Sequence, residues 1–151
     1  MRTLVTFQSA SFNSTEPQEY FINPGCFGDD VALWLSATLR AHSIEADAAP
    51  EREDFGWYFE FTVAEGRHCC VIGSRPEPNP ADAIWIAWIE RSRGFLGSLV
   101  GRRNHGIAAS AVEAVHEALR SAPQILNVAW HHREDFDSGR EELAASSPGA
   151  A

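Results

Sequence analysis

Gly56-Trp57-Tyr58-Phe59-Glu60-Phe61-Thr62-Val63-Ala64-Glu65-Gly66-Arg67-His68-Cys69-Cys70-Val71-Ile72-Gly73-Ser74 is the stretch that decides the fold. Two β-rich runs, Gly56 to Ala64 and Arg67 to Ser74, flank Glu65-Gly66, which is the pattern of a hairpin closed by a two-residue turn. Pairing Ala64 with Arg67 predicts Val63 opposite His68, Phe61 opposite Cys70 and Phe59 opposite Ile72, all on one face because side chains alternate with period two. That face is the expected core. Tyr58, Glu60, Thr62, Cys69 and Val71 fall on the other face, a mixed set suited to a less deeply covered side. Glu65 is a poor first residue for a type I′ turn, so a type I turn with Gly66 in a bulge position remains open and would shift the partners by one residue.

Other segments are fitted around the hairpin. Upstream, Arg2 to Gln8 reads as a strand and Ser9 to Pro24 as a polar loop. Gly25-Cys26-Phe27-Gly28-Asp29-Asp30 then opens a helix with carboxylates at its positive end. Val31, Trp34, Leu35, Thr38 and Leu39 supply its apolar stripe, up to a stop near His42. Ile44 to Ala49 reads as a short edge strand closed by Pro50.

Downstream, Pro76, Pro78 and Pro80 stiffen a connection. Ala83 to Arg91 is apolar on both sides and is predicted to be a central strand. A second helix is expected over Ile107 to Ser121, with Ala108, Ala111, Val112, Val115, Ala118 and Leu119 inward, and a last strand over Ile125 to His132. From Arg133 to Ala151 small and polar residues predominate, so residues 1–132 are expected to form one domain and residues 133–151 a disordered or loosely attached tail. The predicted class is α+β: a mainly antiparallel sheet of five or six strands with two helices on one face, a two-layer sandwich whose nearest common relative is the ferredoxin-like split βαβ.

At 151 residues the chain is long enough for one core and too short for two. No apolar run approaches the roughly 18 residues of a membrane span, and no secretory signal pattern opens the chain, so a cytoplasmic location is the expectation. A net charge of −9 argues against general nucleic-acid binding, which requires a basic surface to displace counterions. Cys26, Cys69 and Cys70 are expected to be free thiols, since neighbours on a strand point apart. His131 and His132 point apart for the same reason, and no cofactor or metal is expected.

The sharpest electrostatic contrast lies at residues 91–103, which hold Arg91, Arg93, Arg102 and Arg103 and no Asp or Glu, against eight Arg and 21 carboxylates elsewhere. With His105 leading into the second helix, this loop is a candidate seat for a phosphate- or carboxylate-bearing ligand, although it lacks the Lys and the Ser or Thr of a P-loop. Solvated surface charge explains the same run. Glu53 and Asp54 are paired carboxylates that turn or capping roles explain equally, and Cys26 at a helix start has no placed His partner to activate it.

Phe27-Gly28-Asp29-Asp30 and Glu53-Asp54-Phe55-Gly56-Trp57-Tyr58 resemble segments of small uncharacterised bacterial α+β proteins that share a helix opened by Gly-Asp and a later Glu-Asp-aromatic-Gly-Trp strand. The likeness covers Gly25 to Ser74; it implies a prokaryotic source and carries over no catalytic residue. Two functional expectations follow. One is a protein-interaction or self-associating domain that uses the sheet face around Tyr58 and Glu60 with Trp85 or Trp88. The other is an enzyme or sensor for a small anionic ligand held by Arg91, Arg93, Arg102, Arg103 and His105.

Overall fold

In the computed structural model, residues 1–54, 56–92 and 106–149 are described. Among these residues the elements run β1 (Leu4–Gln8), α1 (Asp29–Ala41), β2 (Glu45–Ala46), β3 (Glu51–Glu53), β4 (Gly56–Val63), β5 (Gly66–Arg75), β6 (Ile84–Arg91), α2 (Ala109–Arg120), β7 (Leu126–His131) and a short α3 (Arg133–Asp137), with five strands in succession between α1 and α2. The strands form one sheet in the order β2-β4-β5-β6-β1-β7, with β3 also paired to β4. Every pairing is antiparallel, so the α+β class holds while the arrangement departs from the split βαβ, whose crossover joins parallel strands.

The central hairpin forms, with its turn one residue earlier than expected. Val63 pairs with Gly66, Phe61 with His68 and Phe59 with Cys70, so Ala64-Glu65 is the turn and each partner moves by two residues. Because the displacement is even, no side chain changes face. Gly66 explains the placement: its φ of 118° is the conformation that follows the turn, and a Cβ there would lie 2.4 Å from Arg91 Nη2.

One face of the sheet carries α1 and α2. Val5, Phe7, Phe59, Phe61, Cys70, Ile72, Trp85, Ala87, Ile89 and Trp130 pack there against Val31, Leu35 and Leu39 of α1 and Val112, Val115 and Leu119 of α2, all of them buried. Each large side chain of this layer contributes on the order of 1.5–3 kcal/mol by leaving water. The opposite face is crossed by a row Tyr58–Val71–Trp88–Leu4–His131, one residue from each of five neighbouring strands.

Residues 133–149 differ from the loose tail expected. α3 follows β7 directly and a 3-10 turn spans Glu141–Leu143. Ala145 then exchanges both backbone hydrogen bonds with Trp130 at 2.7 and 2.9 Å, and Pro148 O accepts from Arg2 N at 2.9 Å. Phe136 lies edge-on to the His131 ring at 5.2 Å and Arg133 sits over the Trp88 ring at 5.3 Å. Arg75 forms a two-pronged contact with Glu141 at 2.6 and 3.2 Å. Composition could not reveal this strap because main-chain groups, which any sequence has, make much of its attachment.

Candidate functional site

The residues singled out from the sequence do not converge. Trp85 and Trp88 are three apart on β6, an odd interval, so they take opposite faces. Trp85 is fully buried on the helix side, its ring edge-on to Phe12, and belongs to no partner surface. Trp88, half-buried, donates through Nε1 to Glu90 at 2.9 Å on the far face. On β4, Tyr58 donates to Glu51 at 2.5 Å, and Glu60 accepts from Ser92 Oγ at 2.9 Å and from Arg67 at 2.6 Å. These groups hold one another across the far face.

Arg91 braces the other end of the hairpin. Its Nη2 donates to Glu65 O at 2.5 Å and its Nη1 lies 3.4 Å from His68 Nε2. His68, fully buried, donates from Nδ1 to Gly66 O at 2.9 Å and accepts the N–H of Ala108 on Nε2 at 3.0 Å. Burial, and then the neighbouring Arg91, push its pKa below the usual 6.5, consistent with a neutral ring. Ser110 Oγ donates to Glu65 at 2.5 Å, so turn, β6 and the start of α2 are tied together. Arg93, Arg102, Arg103 and His105 lie outside the described residues.

On α2, Glu113, His116 and Glu117 place a ligand atom each within 4.8 Å of one another, but the donor chemistry opposes a metal. Trp130 Nε1–H donates to His116 Nδ1 at 3.1 Å, which leaves the proton of the neutral ring on Nε2. A metal-binding imidazole needs the reverse polarity, an acceptor on its outer nitrogen. Glu117 is also taken by Arg120 at 2.8 Å.

A different place gathers the two motifs of the bacterial likeness. Trp57 Nε1 donates to Cys26 O at 2.9 Å and Arg52 donates to Asn23 O at 3.2 Å while lying over the Trp57 ring at 5.6 Å. Tyr20, Phe21, Phe27 and Trp57 make edge and tilted ring contacts at 5.2–6.2 Å. Gly56 admits the close approach beneath them: a Cβ there would meet Ile72 O at 2.2 Å. Asp30 Oδ1 and Oδ2 accept from Val31 N and Asn13 N at 2.9 and 2.7 Å, fastening the loop to the first turn of α1, and burial raises the pKa of Asp30. Tyr20 donates to Asp29, a bond that with burial and the adjacent carboxylates pushes the phenol up to about 12.

Between these segments and β5 opens a cleft of about 160 Å³ lined by Asn23, Gly25, Cys26, Phe27, Asp54, Gly73 and Ser74. In the loop that leads to α1, Tyr20 is 62% and Ile22 88% exposed. Sequence reasoning noted both motifs but no spacing announced that they meet; the signal available was two aromatic-glycine pairs at element starts. The cleft is too small for a drug-sized ligand, which takes roughly 300–1,000 Å³. Its lining is mainly polar, with Phe27 the one aromatic residue in it. Comparison with protein-family models, curated proteins and solved structures finds no match.

Proposed function

We propose that this chain is a small binding module that docks a basic segment of another protein on the end of the fold built by residues 16–30 and 51–54. The observation that carries the reading is the coincidence of exposed Tyr20 and Ile22 with concentrated negative charge. Those two segments hold Glu16, Glu19, Asp29, Asp30, Glu51, Glu53 and Asp54 against the single cation Arg52. Arg52 itself lies over the Trp57 ring and donates to Asn23 O. A surface with an apolar centre and a rim of one sign steers oppositely charged partners and holds them by desolvating the centre.

This reading keeps the expected interaction role but moves its surface. Trp85 lies in the core and Trp88 carries Arg133 of the same chain, so the far sheet face gives less support to self-association. The test is a titration of the labelled protein with a Lys-rich peptide, followed through backbone amide shifts. Saturable shifts confined to residues 16–30 and 51–57, weakening as salt rises, are expected. Equal binding of a Glu-rich peptide, or shifts confined to the far face, would refute the proposal.

A further inference from the structure

We propose that the His68 ring is an acid-released latch: while neutral it holds the entrance of α2 to the tip of the β4–β5 hairpin, and it frees the first turn of α2 when it takes a proton. Donors and acceptors leave the ring no other arrangement. Its Nδ1 faces Gly66 O at 2.9 Å, a carbonyl that can only accept, so Nδ1 carries the proton of the neutral ring. Its Nε2 faces the N–H of Ala108 at 3.0 Å and Arg91 Nη1 at 3.4 Å, two groups that can only donate, so Nε2 is bare. A second proton has one place to go. On Nε2 it breaks the Ala108 bond and sets a positive ring against the Arg91 guanidinium.

Ala108 is the residue on which α2 starts. Its carbonyl accepts from Ala111 N at 3.1 Å and Val112 N at 3.3 Å, and no side-chain cap supports the turn. The ring on its N–H and the first turn on its carbonyl thus meet at one residue, and Ile107 and Ala108, packed against the core, leave with it. Among the described residues the charged groups facing His68 are Arg91 from β6 and Glu65 from the hairpin turn; β4 presents the Phe61 ring at 5.9 Å and α2 presents Ala108. Burial, then Arg91, hold the latched ring below 6.5 against the pull of Gly66 O and Glu65. Once released the ring titrates near 6.5, so opening gains about tenfold for each pH unit between 6.5 and the lower latched value.

The experiment follows amide exchange, corrected for its own pH dependence, from pH 8 to pH 5, together with the nitrogen shifts of the His68 ring. The proteins compared are wild type, His68→Gln, His131→Gln, Arg91→Gln and Glu65→Gln. In wild type the ring should be protonated on Nδ1 alone at pH 8. Ala108, Ala111 and Val112 should exchange faster than Val5 and Ala87, and their protection should fall about tenfold per pH unit below 6.5. His131→Gln should keep that slope. His68→Gln, whose amide oxygen can accept from Ala108 at every pH, should leave the three amides flat until the global rate overtakes them. Where His68→Gln fails to fold, the charge variants decide: Arg91→Gln should move the ring's midpoint up and Glu65→Gln should move it down. A ring protonated on Nε2 at pH 8, exchange of the three amides in step with Val5 and Ala87 at every pH, a slope unchanged in His68→Gln, or charge variants that leave the midpoint in place would each overturn the latch.

Discussion

On β5 and β6 adjacent residues serve two coverings of one sheet. Trp85, Ala87 and Ile89 vanish beneath α1 and α2 in a continuous layer of aliphatic and aromatic side chains. Ile84, Ile86 and Trp88, their alternates, remain half-buried on the other side, where the strap of residues 133–149 is held by an ion pair, a cation over an indole, one aromatic edge contact and a few main-chain hydrogen bonds. The helix layer draws on burial, which scales with area; the strap draws on separate polar contacts, each worth little in water. The same sheet therefore has one face that sets global stability and one that opens at lower cost.

Trp85→Ala gives the largest expected effect, about 3–5 kcal/mol from lost transfer energy and the cavity left behind, read from urea midpoints. A loss as small as those expected of strap variants would erase the contrast between the faces. Acidification tests both faces together, because His68 lies under the helices and His131 under Phe136. Burial lowers both pKa values, as do Arg91 beside His68 and Arg2 and Arg75 beside His131, against the opposing pull of Glu65 and Glu141. The unfolded rings gain protons near 6.5 while the folded rings stay neutral, so their contribution is whole above that pH and is lost as pH falls toward the depressed folded values. Urea midpoints that stay flat from pH 8 to pH 5 would contradict two buried neutral rings.

Phe136→Ala should cost about 0.5–1.5 kcal/mol through its ring contact with His131, and amide exchange should quicken in β7 and residues 133–149 before it does in β4. Simultaneous quickening everywhere would mean the strap is part of the global unit. Glu141→Gln is the mildest change, at most about 1 kcal/mol, since the Arg75 and Glu141 side chains are 43% and 39% exposed and water screens the pair. Its effect should disappear at high salt; a larger, salt-independent loss would place more of the strap's anchorage in that pair than the geometry suggests.

Much of the architecture was legible because alternation is a local signal. Phe59 and Phe61 turn inward as their spacing demands, and the helix stripes at Val31, Leu35 and Leu39 and at Val112, Val115 and Leu119 reach the core. The hairpin register was misplaced by two residues because Gly66 reads equally well inside a turn or just after it, and only the Arg91 side chain packed against it decides. Parity alone separates Trp85 from Trp88, and of the two alternatives offered for the partner face only Trp88 shares the row of Tyr58. The strap and the cleft were not legible: one depends on the main chain of Ala145 and Pro148, the other on Asn23, Asp54 and Ser74 meeting across fifty residues of intervening chain.

Cys69 and Cys70 occupy successive positions on β5, each with no more than 1% of its surface exposed, and they look out on opposite sides of the sheet. Nature has thereby supplied a pair of chemical clocks one peptide bond apart. With Cys26 replaced by Ser, the order in which an alkylating reagent marks the two sulfurs, resolved by fragmentation mass spectrometry, times the exposure of each side separately without any label having to be introduced.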